Sequence, residues 1–344
     1  MLFLPNAALA SVAAASGCIL NKFENLVTFG DSYTDEGRLN YFTNNNGSAP
    51  PAGVLLPPSN STASGGYAWG RFVANSTGAK YYNYAVSGAT CSNNIVSRNF
   101  ASIRQPFPSV LDYEIPGYKV DTTFDALYPN READNTIYAL WIGTNDLGYL
   151  GFLTDSNAPG TTISSYVDCV WEVFDKIHAT GGRHFVLLNV APLEQSPLYA
   201  ATELGGFGDS VFWPNKTSYN TTETQYKMLE YSTSINTAFD YGVPFHLLVK
   251  KRWPGAIFSI FDVHSLLRDV HAEPSKYLSS PPNVKAPYRV CDPMTAACVD
   301  SSAPKASFLW YDELHPSERT SEIVAQHFVD VVYGNSTYGK TYTS

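Results

Sequence analysis

The sequence predicts an α/β fold built on a parallel β-sheet, because apolar strands alternate with amphipathic helices along the chain. Nearly all of the strand-like runs are continuous in apolar residues, which is typical of parallel strands buried on both faces. Strands that alternate with helices imply right-handed crossovers and helices that cover the sheet. The five strand-like runs are residues 26–29, 81–86, 136–142, 184–190 and 256–263, and the second of them is rich in tyrosine.

Three segments between and after these runs have helical patterns, namely residues 163–178, 224–241 and 317–333. The first ends at Gly181-Gly182 and the third ends at Gly334, as expected of helix C-termini. Long loops rich in Pro, Gly and Asn connect the elements, and such loops at one sheet edge commonly shape binding sites. The main predicted loops are residues 43–66, 98–134, 192–222 and 271–307.

The composition limits the possible functions. The 344 residues include 22 Lys and Arg against 31 Asp and Glu, which gives a formal net charge of −9. An acidic chain without a clustered basic face is not expected to bind nucleic acid. The hydrophobic fraction of 44% supports a sizeable core, so wholesale disorder is excluded. No run of about 18 apolar residues follows residue 20, so we expect no stable membrane insertion.

Several features predict secretion. Residues 1–16 are apolar, uncharged and end in small residues, as a removed signal peptide does. Only 15% of the chain is charged, against about 25% in an average globular protein, and Asn, Ser, Thr, Gly and Tyr replace the missing charge. We therefore expect a secreted, extracellular glycoprotein. The predicted glycosylation sites are Asn46, Asn60, Asn75, Asn215, Asn220 and Asn335.

The five cysteines indicate at least one disulfide. Cys291 and Cys298 flank a six-residue loop that contains a proline, which favours a disulfide hairpin over two reduced thiols. Cys18, Cys91 and Cys169 cannot all pair with one another, and the sequence leaves their pairing open. Neither a C-x-x-C motif nor a Cys/His spacing typical of a metal site occurs, so we expect no metal.

Two motifs at opposite ends of the chain could form a nucleophile and its base. Ser32 follows the first predicted strand, at the sheet edge where open α/β sheets bind ligands. Asp312 and His315 are three residues apart on a turn before the last helix. At that spacing the carboxylate can reach the imidazole Nδ1 and leave Nε2 free to accept a hydroxyl proton. Taken singly, the first motif could be only a helix cap formed by Asp31, Ser32 or Asp35. The second could be a helix cap at Asp312 beside a solvated His315.

Two further turns could supply hydrogen-bond donors to an oxyanion. Gly88 follows the second predicted strand, and Asn145 follows the third. Acyl transfer needs donors aimed at the developing oxyanion, and a glycine N–H and an asparagine amide are suitable. A turn glycine and a helix-capping asparagine are the alternatives at these two positions.

Together these motifs resemble the blocks of the GDSL esterases and lipases, also called SGNH hydrolases. The blocks are G-D-S-Y-T-D at residues 30–35, A-V-S-G-A-T at 85–90, G-T-N-D at 143–146 and D-x-x-H-P at 312–316. Their order and their span over most of the chain are far more specific than any single block. The G-x-S-x-G elbow of the α/β-hydrolases is absent, which disfavours that fold.

The resemblance implies a flavodoxin-like three-layer α/β/α sandwich with a five-stranded parallel sheet. It also implies that Ser32 is the nucleophile, that His315 is the general base and acid, and that Asp312 orients His315. The backbone N–H groups of Ser32 and Gly88 and the side chain of Asn145 would form the oxyanion hole. No cofactor is required. Because the serine and the histidine lie near opposite ends, residues 17–344 are expected to form one catalytic domain. We also expect a monomer.

A finer resemblance links the chain to fungal secreted acetylesterases of carbohydrate esterase family 16. It rests on G-G-Y-A-W-G-R-F at residues 65–72, A-V-S-G-A-T-C at 85–91 and Trp310-Tyr311 before Asp312. This resemblance implies removal of acetyl groups from hemicellulose-derived saccharides, with an acetylated oligosaccharide or another small ester as substrate. Trp310 is the tryptophan expected to contact the sugar, because it lies so close to His315.

Three alternatives remain open at this stage. A GDSL lipase or phospholipase would use the same machinery on longer acyl chains. A glycoside hydrolase would need two carboxylates across a sugar site, for example Asp31 or Asp35 with Asp312, but would leave His315 and Asn145 without a role. A non-catalytic carbohydrate-binding protein is the third alternative.

Overall fold

The computed structural model describes residues 22–344, and a six-stranded sheet lies at its centre. The predicted signal peptide and Cys18 lie outside the described residues. In chain order, the strands are β1 (Asn25–Gly30), β2 (Lys80–Asn83), β3 (Thr136–Trp141), β4 (His184–Leu188), β5 (Ile257–Phe261) and β6 (Gly339–Thr343). Their spatial order is β6-β5-β4-β3-β1-β2, and all neighbours are parallel except β5 and β6.

Strand β1 has a parallel neighbour on each side. Leu26 is opposite Tyr81 in β2 and opposite Ile137 in β3, and every residue of β1 is buried. From β1 the chain first adds β2 on one side and then adds β3, β4 and β5 on the other. Ligands bind at the carboxyl ends of strands where the direction of winding reverses, and here that point lies between β1 and β3.

The helices cover the two faces of the sheet. Helix α2 packs against α8, while α5 packs against α3 and α6. Right-handed crossovers that leave β1 in opposite directions place their helices on opposite faces. The helices are α1 (Arg38–Asn44), α2 (Trp69–Thr77), α3 (Ile115–Asp121), α4 (Thr144–Leu147), α5 (Ile163–Ala179), α6 (Thr221–Pro244), α7 (Val263–Ala272) and α8 (Glu318–Val332).

Shorter elements complete the fold. Single π-helical turns precede α3 and follow α6, at Val110–Glu114 and Phe245–Val249. Two small antiparallel hairpins pair Asn99–Phe100 with Gln105–Pro106 and Arg289–Cys291 with Cys298–Asp300. The 3₁₀ turns are Phe152–Thr154, Leu193–Gln195, Thr202–Leu204, Lys216–Ser218, Pro274–Lys276 and Lys305–Ser307.

The sequence prediction of an α/β sandwich is confirmed, but the sheet has one more strand than the five predicted. The five apolar runs correspond to β1–β5, whereas β6 is an additional antiparallel strand. Its sequence, GKTYT, carries lysine and threonine at half-exposed positions on the sheet edge, so it lacks the apolar pattern that marked the others. The predicted loop 98–134 also contains α3, which is only seven residues long.

All six predicted glycosylation asparagines are exposed, although not all of them lie in loops. Asn75 lies in the last turns of α2 rather than in a turn-rich segment. Asn220 caps α6, where its side-chain oxygen accepts a hydrogen bond of 3.2 Å from the Glu223 N–H. This cap also explains why α6 begins three residues earlier than predicted.

Two disulfides join described cysteines. Cys291 and Cys298 close the exposed hairpin, which is the pair that the sequence predicts. Cys91 is bonded to Cys169, so the loop after β2 is tied to α5, and both of these cysteines are buried. This second bond settles a pairing that the sequence left open. Cys91 and Cys169 are 78 residues apart in the sequence, whereas Cys291 and Cys298 are 7 residues apart.

Removing the longer link should destabilise the protein more. The chain-entropy relation gives about 4.5 kcal/mol for the Cys91→Ala/Cys169→Ala variant and about 2.5 kcal/mol for Cys291→Ala/Cys298→Ala, because closure entropy grows with loop length. Urea unfolding followed by tryptophan fluorescence measures both free energies of unfolding. A larger loss in the hairpin variant would contradict the assignment of Cys91–Cys169 as the main covalent link.

Candidate active site

The turn that presents Ser32 is built on a close contact between β1 and β3. Gly30 has φ of +142°, and a Cβ there would lie 2.1 Å from the carbonyl oxygen of Trp141, so no larger residue fits. The Asp31 carbonyl then accepts hydrogen bonds of 2.9 Å from the N–H groups of Thr34 and Asp35. Ser32 thus lies in a tight turn directly beyond the carboxyl end of β1.

The structure brings Ser32, His315 and Asp312 together although 283 residues separate the serine from the histidine. His315 Nε2 lies 2.8 Å from Ser32 Oγ, and His315 Nδ1 lies 2.8 Å and 2.9 Å from the two oxygens of Asp312. Asp312 also accepts hydrogen bonds from the N–H groups of Leu314 and His315, at 2.9 Å and 2.8 Å. The Tyr33 hydroxyl donates to the Leu314 carbonyl at 2.8 Å, which joins the two turns.

The environment of His315 favours its protonated form. Burial by itself lowers the pKa of this imidazole, but the Asp312 carboxylate outweighs burial by its charge and its hydrogen bond. Asp31 and Glu313 contribute negative charge in the same sense. The net effect raises the pKa of His315 above its ordinary value. With Nδ1 held by a carboxylate, Nε2 is the nitrogen that can exchange a proton with Ser32.

Gly88 and Asn145 lie at the carboxyl-end sides of β2 and β3, next to the Ser32 turn. Gly88 has φ of +85°, and a Cβ there would lie 2.3 Å from the Phe107 ring. The backbone N–H groups of Ser32 and Gly88 have no backbone acceptor within residues 22–344. Asn145 Nδ2 donates one hydrogen bond to the Ala89 carbonyl at 2.9 Å, which leaves its second N–H available.

Two buried carboxylates support these turns, and one of them, Glu114, belongs to none of the sequence motifs. Glu114 accepts hydrogen bonds from the N–H groups of Gly30 and Val86, at 2.9 Å and 3.2 Å, and so joins the ends of β1 and β2. Burial raises the pKa of Glu114 well above its ordinary value. Asp35, expected to act as a cap, accepts from the N–H of Arg38 at 2.6 Å and from Ser87 N–H at 2.9 Å. It therefore fixes the residue before Gly88 as well as the start of α1.

Two further carboxyl groups lie within the same network. Burial raises the pKa of Asp31 to about 6 and that of Asp146 to about 7. Asp31 Oδ1 accepts from the Tyr33 N–H at 3.0 Å, and Asp146 Oδ1 accepts from the Cys91 N–H at 2.9 Å. Their Oδ2 atoms are buried without a partner in the part of the chain that the structure describes. Asp31 is almost fully buried (1% exposed), so it is not open to a sugar as a carboxylate of a glycoside hydrolase has to be.

The structure argues against the expected sugar contact of Trp310. The Trp310 side chain is fully buried (0% exposed), so it offers no ring face to a substrate. Trp69 and Trp213 are also fully buried. The aromatic ring found next to the histidine is that of Phe212, whose centroid lies 5.2 Å from that of His315. The prediction relied on closeness along the chain, but the residues just before Trp310, Phe308 and Leu309, are buried in the interior together with it.

Arg98 is a second residue of the site that the motifs do not reveal. It lies in the long segment after β2, and its Nη1 donates to Asn145 Oδ1. The same nitrogen lies 3.5 Å from the Gly88 carbonyl oxygen. No strand end or helix cap marks this position in the sequence, so only the folded structure places it beside Gly88 and Asn145.

Residues 22–344 include no group of three or more His, Cys, Asp or Glu side chains that could hold a metal ion. Over the same range, the helices include none that is long and apolar enough to span a membrane.

Comparison with known proteins identifies the family. The model of the family described as GDSL-like lipase/acylhydrolase matches residues 26–328. An acetylesterase of Hypocrea jecorina is 51% identical over 317 residues, which cover 92% of this chain and 91% of that protein. An acetylesterase of Thermothelomyces thermophilus is 31% identical over 178 residues, or 50% of this chain and 55% of that protein. The solved structure of an acetylxylan esterase from Geobacillus stearothermophilus aligns with a TM-score of 0.39 at 13% identity, covering 91% of this chain and 96% of that one.

The family match spans all four motif blocks, so the family predicted from the sequence is confirmed. The chain belongs to the GDSL-like lipase/acylhydrolase family.

Proposed function

We propose that this ester hydrolase is a secreted acetylesterase that removes acetyl groups from hemicellulose-derived saccharides through an acyl-enzyme intermediate on Ser32. The observation that carries the proposal is the contact of 2.8 Å between Ser32 Oγ and His315 Nε2, with Asp312 on the opposite nitrogen. The relative from Hypocrea jecorina, which is similar over nearly its whole length, is named an acetylesterase. We also propose that residues 17–344 act as one catalytic domain and as a monomer.

In the first half of the proposed reaction, Ser32 Oγ attacks the acetyl carbonyl carbon while His315 Nε2 takes the hydroxyl proton. Asp312 keeps Nδ1 protonated and stabilises the imidazolium that forms. The N–H groups of Ser32 and Gly88 and the second N–H of Asn145 Nδ2 stabilise the tetrahedral oxyanion. His315 then gives its proton to the leaving sugar oxygen, and the acetyl group remains on Ser32.

In the second half, a water molecule attacks the acetyl-Ser32 carbonyl carbon while His315 Nε2 takes its proton. The same donors stabilise the second oxyanion. Collapse of this intermediate returns the proton from His315 to Ser32 Oγ and releases acetic acid. Every proton transfer uses the one histidine nitrogen that faces Ser32.

The named relatives support a short acyl group. The similar proteins of Hypocrea jecorina and Thermothelomyces thermophilus are both named acetylesterases. We therefore prefer the acetylesterase over the lipase alternative.

Secretion is supported by the covalent and surface chemistry of the described chain. Two disulfides are present, and disulfides persist mainly in oxidising compartments. The six sequon asparagines are all exposed and thus accessible for glycosylation.

Replacing the nucleophile tests the proposal most directly. Ser32→Ala should lower kcat for acetate release from acetylated xylo-oligosaccharides and for 4-nitrophenyl acetate hydrolysis by at least about 10³-fold, because no hydroxyl remains to form the acyl-enzyme. Ser97→Ala, which removes an exposed hydroxyl, is the matched control. Unchanged turnover in Ser32→Ala would overturn the site assignment.

The same assay separates the alternative functions. Faster hydrolysis of 4-nitrophenyl palmitate than of the acetate at equal enzyme loading would favour the lipase. Reducing sugar released without acetate would indicate a glycoside hydrolase. Saccharide binding without any turnover would indicate a binding protein.

Asn145→Ala should lower kcat by about 10²- to 10³-fold and change KM less than about threefold, because it removes a donor that acts on the oxyanion rather than on the bound ester. Steady-state kinetics with 4-nitrophenyl acetate measure both constants. Asn94→Ala, an exposed site in the neighbouring loop, is the control. A change confined to KM would argue against an oxyanion role.

The pH dependence should report His315. The base must be neutral, so kcat/KM should rise with pH, with a midpoint above the ordinary imidazole value of about 6.5 because Asp312 raises the pKa of His315. Asp312→Asn should shift this midpoint to lower pH and lower kcat by up to about 10⁴-fold. Asp125→Asn, at an exposed position, controls for lost surface charge. A midpoint that stays in place or moves up in Asp312→Asn would contradict the coupling.

A further inference from the structure

We propose that Arg98 is a positioning residue of the oxyanion hole, which it serves by fixing the orientation of the Asn145 amide and of the Gly88 peptide. The inference rests on the proposed function, because it concerns the donors that act on the tetrahedral intermediate. Arg98 contacts both residues through one nitrogen, although they come from different loops after β2 and β3.

The chemistry of the contacts determines which way the Asn145 amide points. A guanidinium N–H can only donate, so the atom of Asn145 that faces Arg98 must be the oxygen. A backbone carbonyl can only accept, so the atom that faces Ala89 at 2.9 Å must be the nitrogen. A flipped amide would face a donor with its NH₂ group and an acceptor with its oxygen. Both contacts therefore hold the second N–H of Nδ2 in one direction.

Gly88 needs a similar restraint because it has the backbone freedom of glycine. The peptide that follows Gly88 is held on one side by Arg98, whose Nη1 lies 3.5 Å from the carbonyl oxygen. On the other side, its N–H, which belongs to Ala89, donates to the Val86 carbonyl at 3.0 Å. Gly88 has φ of +85° and, as a glycine, could otherwise adopt several backbone conformations. The N–H of Gly88 itself would point in a different direction in each of them.

Arg98 is itself fixed in place. Its guanidinium lies over the Phe107 ring, 5.5 Å from the centroid, and the same ring packs against Gly88. Phe107 in turn stacks on Phe100 across the small hairpin, with centroids 4.7 Å apart. The side chain that orients the two donors is thus supported by two aromatic rings from its own loop.

The positive charge of Arg98, like its hydrogen bonds, favours the donor role of the Asn145 amide. Within residues 22–344, no carboxylate lies at salt-bridge distance from Arg98, so an ion pair does not cancel its charge. Its Nε is buried and has no partner among these residues. A partly buried cation on the oxygen of Asn145 polarises the amide and strengthens its N–H groups as donors to an oxyanion.

Arg98→Met tests the inference, since it keeps an unbranched apolar stem and removes both charge and donors. With 4-nitrophenyl acetate, kcat should fall about 10- to 100-fold and KM should change less than about threefold. Arg98→Lys, which keeps the charge but not the planar group, should give an intermediate kcat. Arg104→Met is the matched control, because Arg104 is an exposed arginine of the same loop. A wild-type kcat in Arg98→Met would overturn the inference.

A double-mutant cycle separates positioning from a general loss of structure. If Arg98 acts through Asn145, Arg98→Met should cost at least about threefold less in the Asn145→Ala background than in the wild type. Equal costs in both backgrounds would overturn the inference while leaving the proposed function intact, provided that Ser32→Ala and Asn145→Ala are both impaired. Unimpaired Ser32→Ala would overturn the proposed function and the inference with it. Near-UV circular dichroism and thermal unfolding verify that each variant is folded.

Discussion

The parallel pairing of β1 with both β2 and β3 is the constraint on which the rest of the site depends. It brings the carboxyl ends of three strands to one edge of the sheet, and Ser32, Gly88 and Asn145 each follow one of those ends. The contact is so close at Gly30 that a side chain there would overlap the Trp141 carbonyl. The loops can differ in length and composition, but these three residues remain neighbours because the strands that precede them are neighbours.

Around this edge, buried carboxylates replace the regular sheet hydrogen bonds that end with the strands. Glu114 joins the ends of β1 and β2, and Asp35 joins α1 to the residue before Gly88. Each of these groups accepts hydrogen bonds from buried or partly buried backbone N–H groups, and an N–H group buried without any acceptor costs about 1–3 kcal/mol. The network thus supports the irregular loops that carry the proposed oxyanion hole, whose donors must be in place before the substrate binds.

Much of this could be predicted from the sequence, for identifiable physical reasons. Strands β1, β3, β4 and β5 are almost wholly buried, so each of them appears as an apolar run, and the Asp312–His315 spacing reflects a local turn. Strand β6 escaped prediction because an edge strand needs no apolar pattern. Glu114 and Arg98 escaped because their partners are distant in sequence, and Trp310 was misjudged because burial cannot be deduced from proximity to a motif.

The long sequence separation between Ser32 and His315 has a consequence for when the site can form during synthesis and folding. The serine belongs to the first strand and the histidine precedes the last helix, so the pair forms only when nearly the whole chain has been made and folded. A chain that ends before His315 has the proposed nucleophile without its proposed base. With these roles, hydrolytic activity is expected only after the C-terminal part of the chain has been made and folded.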